Sequence, residues 1–316
     1  MEPMPFVSLI LCCKNGMPYL RDAVESVASQ SYPYFELVVQ DGGSTDGTLK
    51  FLKAIRGIGN IDIQSAQDKG VGQARNRAIR RCKGDIVGSI DADNVLEKEA
   101  LSSLVDIFQR YASCAAIYGG SRIIDSEGRD IDTFIPGPFD FLRVMGCELV
   151  PPFATSFFSR RVCGDELYFD ESLKTCEDFD LWLRIGHLPI AMVPCVLGRT
   201  RIHDKSTTAQ PDLYDQHVRA KIGALERYLK RYDWSVVIET LYRRSVAGIY
   251  LWAAESVYNL EGCSDRFNQF CDMAASFDPL SDRLRRILSE VEKPSEVKSL
   301  KLRKWWNRIV TQSITD

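Results

Sequence analysis

The sequence predicts an α/β protein in which a parallel sheet is flanked by helices and followed by a C-terminal helical region. Three observations lead to this prediction: strands and helices alternate through the first half, acidic residues directly follow two of the strands, and the chain after about residue 210 reads almost entirely as helix. The 316 residues are 45% hydrophobic, which is enough for a full core and more than one domain. We expect residues 1–210 to form one domain and residues 211–316 to form the helical region.

The alternation in the first half is read from hydrophobic periodicity. Strands are predicted at residues 6–11, 35–39, 61–63 and 85–90, and helices at 48–55 and 73–82. A further helix follows the first strand, with apolar residues at helical spacing at Leu20, Ala23, Val24 and Val27. Such alternation favours parallel strands, and ligands of these folds lie beyond the carboxyl ends of the strands.

The rest of the chain changes from irregular to helical. Short strands are predicted at 115–118, 122–124, 155–158, 192–193 and 196–197, and a helix begins near Glu177. Helices are then predicted at 214–232, 235–260, 266–275, 280–291 and 297–310.

Composition argues against several classes of protein and predicts the cellular compartment. The formal net charge of −3 provides no basic field for nucleic acid. The ten cysteines include no Cys-x-x-Cys pair, so neither a disulfide framework nor a zinc ribbon is indicated. No N-terminal signal and no apolar run of about 18 residues is present. We therefore predict a cytoplasmic protein.

Two acidic positions lie at predicted strand ends. Asp91-Ala92-Asp93 follows the strand at 85–90, and its two carboxylates suit Mg²⁺ or Mn²⁺ together with substrate phosphates. The alternative is a capped turn before a helix near Glu97. Asp41 follows the strand at 35–39 and would accept from a base N–H or a ribose hydroxyl, or else form an Asx turn.

A glycine-containing loop with basic residues lies between these positions. In the segment 68–76, glycines allow close approach to a ligand, and Lys69 and Arg75 would neutralise a diphosphate. The run 70–75 lacks the third glycine of the dinucleotide fingerprint and does not follow the first strand, so nicotinamide binding is not supported.

Two later positions carry candidate chemistry. Glu177-Asp178 begins a predicted helix and would supply a general base, or would only compensate the helix dipole. His203 ends a strand-like run and is a candidate ligand, although a single histidine is more often packed or solvated.

The order of these motifs resembles that of the inverting family-two glycosyltransferases with the GT-A fold, over about residues 5–208. The matching segments share strand-end and loop motifs, and they are Val7–Leu11 with Lys14-Asn15, Gln30-Ser31-Tyr32, Phe35–Thr48, Asp68-Lys69-Gly70, Ala74-Arg75-Asn76, Gly84-Asp85-Ile86, Asp91-Ala92-Asp93, Glu177–Arg184 and Arg201-Ile202-His203. The resemblance implies a nucleotide-diphospho-sugar transferase whose GT-A fold is a Rossmann-like mixed sheet flanked by helices, with a C-terminal helical region.

The resemblance also implies roles in donor binding. Asp41 would hold the base of the donor, usually uracil, and the backbone at Cys12 and Cys13 would line the base pocket. Asp68, Lys69 and Arg75 would flank the nucleotide.

For the metal and the chemistry, the resemblance implies a divalent cation, Mn²⁺ or Mg²⁺, and a UDP-sugar donor. Asp93 would reach the metal directly, Asp91 would lie nearer the ribose or the ligands of the metal, and His203 would add a metal or diphosphate contact. Asp178 would be the catalytic base, with Glu177 orienting the neighbouring loop or contacting the acceptor.

Two departures and two rival functions stay open at this point. Gly42 and Asn94 stand where many members have a further acidic residue. Residues 91–95 also fit the Asp-x-Asp-x-Val pattern of haloacid-dehalogenase-like phosphatases, in which Asp91 would accept a phosphoryl group. A module that binds a nucleotide sugar without turnover is the other alternative.

The acceptor is expected to be a glycan or a lipid-linked saccharide, as in the synthesis of a surface polysaccharide. In the segment 298–310, an apolar stripe that includes Trp305 and Trp306 is surrounded by lysines and arginines. This pattern predicts either peripheral contact with the cytoplasmic face of an anionic membrane or packing against other helices or a second subunit.

Overall fold

The structure is a computed structural model that describes residues 4–292, and these contain one nine-stranded mixed sheet. The strands are β1 (Val7–Cys13), β2 (Phe35–Asp41), β3 (Ile61–Ser65), β4 (Ile86–Asp91), β5 (Val95–Leu96), β6 (Ala116–Ile124), β7 (Asp130–Phe134), β8 (Ser156–Ser159) and β9 (Ile190–Arg201). They are ordered β3-β2-β1-β4-β8-β6-β9-β5, and β7 pairs with β6. Strands β3, β2, β1 and β4 are parallel, as predicted, and β8 joins β4 antiparallel.

The helices lie between these strands and after them. In the first two thirds of the chain they are α1 (Leu20–Ala28), α2 (Thr48–Lys53), α3 (Val71–Ile79), α4 (Ala100–Arg110), α5 (Phe141–Met145), α6 (Arg160–Cys163) and α7 (Glu177–Ile185). In the last third they are α8 (Tyr214–Leu229), α9 (Val236–Glu261), α10 (Asp265–Phe277) and α11 (Asp282–Glu292). The predicted helix at 297–310 lies outside the described residues.

The middle of the sheet differs from the prediction. Strand β6 is continuous where two strands were predicted, because Gly119 and Gly120 continue it. A Cβ atom on Gly119 would lie 2.5 Å from Leu197 Cδ1, and one on Gly120 would lie 2.8 Å from the carbonyl oxygen of Phe134. These glycines therefore allow close packing on the neighbouring strands and do not end the strand. Strand β9 is likewise one strand with a register shift, and the short strands β5 and β7 were not predicted.

The chain divides into two compact units. The first comprises residues up to Phe139 and Pro151–Arg201, and the second comprises Asp140–Val150 and the chain from Ile202 onward. The first unit holds the whole sheet. Its core lies on the central strands, where Leu9, Leu37 and Ile90 are fully buried. The domain boundary near residue 210 stays a prediction.

The second unit is built from α5 and helices α8–α11. Helix α9 passes directly over the end of α5, because a Cβ atom on Gly248 would meet the backbone of Gly146. Arg283 of α11 pairs with Glu255 of α9 at 2.7 Å and donates to the carbonyl of Gly146 at 3.3 Å. No helix of residues 4–292 combines the length and apolar composition needed to span a membrane.

Candidate active site

The carboxyl ends of three parallel strands bring the predicted donor-binding residues together. Strand β1 is central, with Cys13 opposite Asp41 of β2 and Cys12 opposite Asp91 of β4. Ser65 at the end of β3 lies opposite Asp41 on its other side. This edge of the sheet is where doubly wound α/β proteins bind their ligands.

Asp41 is fully buried and anchors the loop that follows it. One carboxylate oxygen accepts from Ser44 Oγ at 2.5 Å, and the other accepts from Ser65 Oγ at 2.5 Å and from the backbone N–H of Gly43 at 3.2 Å. The backbone N–H of Ser44 donates to both oxygens. The structure thus contains the turn geometry that was one interpretation of Asp41. Its contact with a base stays a prediction.

The loop after β1 interlocks with the loop after β2. Asn15 has a left-handed φ of 55°, and its N–H donates to Ser44 Oγ at 2.7 Å while its Oδ1 accepts from the N–H of Thr45 at 2.9 Å. The N–H of Gly16 donates to Thr48 Oγ1 at 2.9 Å. Each loop therefore satisfies main-chain groups of the other.

A pocket of about 430 Å³ lies at the end of β1. It is lined by residues from β1, the loop after β3 and the start of α3, namely Cys12, Cys13, Lys14, Asp68, Lys69, Gly70, Val71 and Ala74. Four of the residues predicted to contact the nucleotide, Cys12, Cys13, Asp68 and Lys69, are among them. The sequence reasoning assigned no role to Lys14, whose position immediately after the β1 strand end was the available signal.

Gly42 makes room for the Asp68 side chain at this pocket. A Cβ atom on Gly42 would lie 2.6 Å from Asp68 Oδ2 and 3.3 Å from Lys14 Cβ. Asp68 Oδ1 accepts from the N–H of Gly70 at 3.1 Å, which holds the side chain in place. A side chain at position 42 would thus compete with Asp68 for the same space, which gives a physical reason for this departure from the family pattern.

Arg75 connects the metal motif to the predicted base motif. Its buried guanidinium pairs with Glu177 Oε1 at 2.5 Å and with Asp91 Oδ1 at 3.2 Å. It also lies over the Phe153 ring at 4.4 Å and the Phe169 ring at 5.4 Å. Burial alone would lower the pKa of Arg75, but Asp91 and Glu177 raise it, so the charge stays between these two carboxylates. A contact of Arg75 with the nucleotide stays a prediction.

The acidic residues at the start of α7 have different environments. Glu177 is buried, and burial raises the pKa of its carboxyl against the opposing effect of Arg75. Asp178 is half-buried, and its Oδ1 accepts from the N–H of Phe179 at 2.8 Å. Asp180 is buried and pairs with Arg184 at 2.9 Å. Of the three, Asp178 is therefore the carboxylate with the most access to a reactant.

The Asp91–Asn94 turn explains the second departure from the family pattern. Asn94 is buried, and its amide donates to Asp91 Oδ2 at 3.2 Å while its Oδ1 accepts from the N–H of Arg201 at 3.0 Å. An aspartate at this position would keep the second bond and lose the first, because an ionised carboxylate has no donor.

We expect Asn94→Asp to lower the free energy of unfolding by about 1–3 kcal/mol at pH 7, because a donor is lost and two carboxylates are brought together. Their repulsion raises a carboxyl pKa in the folded state, so the loss should grow as pH rises from 4 to 7. Urea unfolding at both pH values measures it. Asn60→Asp, the same change at an exposed position, is the control, and an equal effect of both variants would contradict this explanation.

The predicted metal ligands do not form a complete protein site. Within residues 4–292, no group of three or more His, Cys, Asp or Glu side chains is arranged to hold a metal ion. Asp91 and Asp93, both half-buried, supply the carboxylate oxygens that Mg²⁺ and Mn²⁺ accept. Such cations commonly take one or two carboxylates and complete their coordination with substrate phosphates, so these residues fit a metal that binds with the donor.

His203 belongs to the second unit. Its backbone N–H donates to Ser206 Oγ at 3.1 Å, and its ring Nδ1 accepts from the N–H of Lys205 at 3.2 Å. A metal or diphosphate contact of His203 stays a prediction.

The two cysteines at the β1 strand end are not poised for nucleophilic chemistry. Burial raises the pKa of Cys12 to about 12 and that of Cys13 to about 12. Both thiols are therefore protonated at neutral pH. Cys12 and Cys13 contribute to the pocket as lining residues, through their main-chain groups and their volume.

Residues 8–163 match the sequence model described as glycosyl transferase family 2. Chondroitin synthase of Escherichia coli is 27% identical over 240 residues, which is 74% of this chain and 35% of that protein. The glycosyltransferase TuaG of Bacillus subtilis, named for teichuronic acid biosynthesis, is 32% identical over 136 residues, 42% of this chain and 54% of that protein. The matches thus span about a third to a half of these relatives.

Solved structures share the fold over nearly the whole chain. S. aureus TarS 1–349 in complex with UDP-GlcNAc superposes with a TM-score of 0.63 at 18% identity, covering 98% of this chain and 91% of that one. The mannosyltransferase PcManGT of Pyrobaculum calidifontis, in complex with GDP-Man and Mn²⁺, gives 0.61 at 16% identity, covering 99% and 87%.

The fold predicted from the motif order is therefore confirmed, and the family match gives no support to the phosphatase that would use Asp91. Residues 8–163 of this chain therefore belong to glycosyl transferase family 2, and the chain has the GT-A fold.

Proposed function

We propose that this protein transfers a sugar from a nucleotide sugar, with uridine diphosphate as the expected carrier, to a hydroxyl of a glycan or lipid-linked acceptor, with inversion at the anomeric carbon. The observation that carries the proposal is the meeting of the β1, β2 and β4 strand ends beside the 430 Å³ pocket, next to the Asp91–Arg75–Glu177 network. Relatives named for chondroitin and teichuronic acid synthesis support a role in polysaccharide assembly.

In this proposal the pocket holds the nucleoside. Main-chain groups at Cys12 and Cys13 flank the base, and Asp68, Lys14 and Lys69 surround it. Asp41 lies directly behind this surface and fixes the loop, with a base contact available only if one of its present hydrogen bonds is exchanged. Lys14 and Lys69 are exposed and supply positive charge for the diphosphate.

The chemical step uses residues on either side of the sugar. A cation held by Asp93, with Asp91 beside it, would neutralise the diphosphate leaving group. Asp178 takes the proton from the acceptor hydroxyl while the oxygen of that hydroxyl attacks the anomeric carbon of the donor sugar. The bond from that carbon to the diphosphate oxygen breaks, and its electron pair leaves with the diphosphate. One displacement of this kind inverts the anomeric centre.

We expect Asp93→Ala to abolish metal-dependent donor binding and turnover while the fold is retained. Melting temperatures are measured with UDP-sugars and GDP-sugars, each with and without Mn²⁺ or Mg²⁺, because a ligand at 100 times its Kd stabilises the native state by about 2.7 kcal/mol. Asp106→Ala on α4 removes an exposed carboxylate elsewhere in the same unit and should behave like the wild type.

The outcomes of this experiment separate the candidate functions. Stabilisation by one nucleotide sugar that needs the metal and is lost in Asp93→Ala supports the proposal. Unchanged transfer by Asp93→Ala removes the metal from it. Tight binding of a nucleotide sugar without turnover on any acceptor would instead indicate a non-catalytic binding module.

A further inference from the structure

Arg201, the last residue of β9, reaches the Asp91–Asn94 turn from the opposite strand. Its backbone N–H donates to Asn94 Oδ1 at 3.0 Å, and its side-chain Nε donates to the carbonyl oxygen of Asp93 at 3.0 Å. The side chain is only 2% exposed. A single residue thus holds two consecutive positions of the predicted metal turn.

The rest of the guanidinium binds three other parts of the first unit. Nη2 pairs with Asp22 of α1 at 2.7 Å, and Nη1 lies 3.3 Å from the carbonyl oxygens of Asp125 and Ser126 in the turn between β6 and β7. The face of the group lies over the Tyr19 ring at 4.7 Å. This planar fork of donors cannot be reproduced by lysine, which has one compact charge.

We propose that Arg201 is a positioning residue that fixes the Asp91–Asn94 turn in the conformation that receives the cation and the diphosphate. This inference rests on the proposed function. A short turn with two functional carboxylates must otherwise be ordered each time the donor binds, and that ordering weakens binding. Arg201 contacts Asp93 at the main-chain carbonyl oxygen and forms its ion pair with Asp22. It therefore orders the turn through the backbone.

Neighbouring Arg199 provides a matched control. It lies on the same strand, is 36% exposed at its side chain, and pairs with Glu97 at 3.0 Å. Arg199→Met therefore removes an arginine and an ion pair from β9 while every contact of Arg201 remains. Arg201→Met removes the side-chain bond to the Asp93 carbonyl oxygen and leaves the backbone bond to Asn94 Oδ1 in place. Arg201→Lys keeps a charge beside Asp22 while losing the fork, so it should fold even if the methionine variant does not.

The first measurement needs no ligand. Hydrogen exchange of the full chain, followed by mass spectrometry, should show faster exchange in residues 91–96 of Arg201→Met and Arg201→Lys by at least about 10-fold, with the Arg199→Met variant unchanged there. Wild-type exchange of this segment in folded Arg201→Lys would overturn the proposal.

The second measurement is the ratio of the UDP Kd without Mn²⁺ to the UDP Kd with Mn²⁺, taken by calorimetry. Loss of a group that orients metal ligands typically costs about 10–100-fold in metal affinity, so this ratio should fall by about 10-fold or more in both Arg201 variants, with little change in the metal-free Kd. A purely structural role would lower the melting temperature and leave the ratio of the folded protein unchanged, which would overturn the inference.

The two proposals fail in different ways. If the wild type shows no Mn²⁺-dependent UDP binding, the proposed metal-dependent function is wrong and the inference that rests on it falls too, whatever the exchange of residues 91–96. If the wild type binds UDP with Mn²⁺ and both Arg201 variants keep the wild-type ratio, only the role of Arg201 is wrong.

Discussion

Asp178→Asn should lower kcat by at least about 100-fold while UDP affinity stays within about 3-fold of the wild type, because the change removes basicity alone. The asparagine can keep the hydrogen bond that Asp178 Oδ1 accepts from the N–H of Phe179. Asp178 is half-buried at the start of α7, whereas its acidic neighbours Glu177 and Asp180 are buried. Transfer to the acceptor, or slow donor hydrolysis until an acceptor is known, measures the effect.

Glu177→Gln is the informative comparison for this prediction. Glu177 is paired with Arg75. Loss of the Glu177 carboxylate should therefore change the stability of the protein and the position of the neighbouring loop more than the rate of proton transfer. If Asp178→Asn keeps most of its activity while Glu177→Gln loses it, the base has been misassigned by one residue. If neither change matters, the inverting mechanism with a base on α7 is wrong.

Arg75→Met should lower the free energy of unfolding by about 3–5 kcal/mol at pH 7, because Glu177 is left buried without its ionic partner. Arg80→Met, at the residue that caps the carboxyl end of the same helix, is the control. Arg80 is 57% exposed and pairs with Glu171 at 3.5 Å, so its loss should cost about 0–1 kcal/mol. Urea unfolding of both variants measures the difference, and equal losses would contradict the assigned role of Arg75.

The effect of Arg75→Met should depend on pH in a defined direction. Burial already raises the pKa of Glu177, and removal of Arg75 removes the main influence that lowers it. A carboxyl with a raised folded-state pKa contributes its stability below the unfolded value of about 4.3 and loses it as pH rises through the folded value. The deficit of the variant should therefore be smaller at pH 4 than at pH 7, and Glu177→Gln in the same chain should recover part of it.

The sequence was most informative where function and local structure use the same residues. Strands β1, β2 and β4, together with the acidic residues at the ends of β2 and β4, were predicted because a buried apolar run that leads to an aspartate is a local pattern. Helix α7 begins at Glu177, as its acidic first turn and apolar spacing predicted. These features need no knowledge of distant residues.

The contacts that the sequence did not predict are long-range. Arg75 meets Glu177 across 102 positions, and Asn94 meets Arg201 across 107. No periodicity relates such pairs, since their proximity depends on how β4, β9 and α7 are arranged in the folded unit. The prediction of two separate strands in place of β6 was also wrong. Gly119 and Gly120 continue this strand because neighbouring segments of the same chain approach it closely.

The interlocked loops after β1 and β2 have a consequence for the thermodynamics of donor capture. Their main-chain donors at Asn15, Gly16 and Thr45 are already engaged, and Asp41 braces Gly43 and Ser44 from below. A nucleoside that binds as proposed would therefore contact loops that are already ordered, and little chain entropy would be lost there on binding. The heat-capacity change of binding should accordingly come from the surface that the nucleotide itself buries. The larger contribution that folding of a recognition loop would add should be absent.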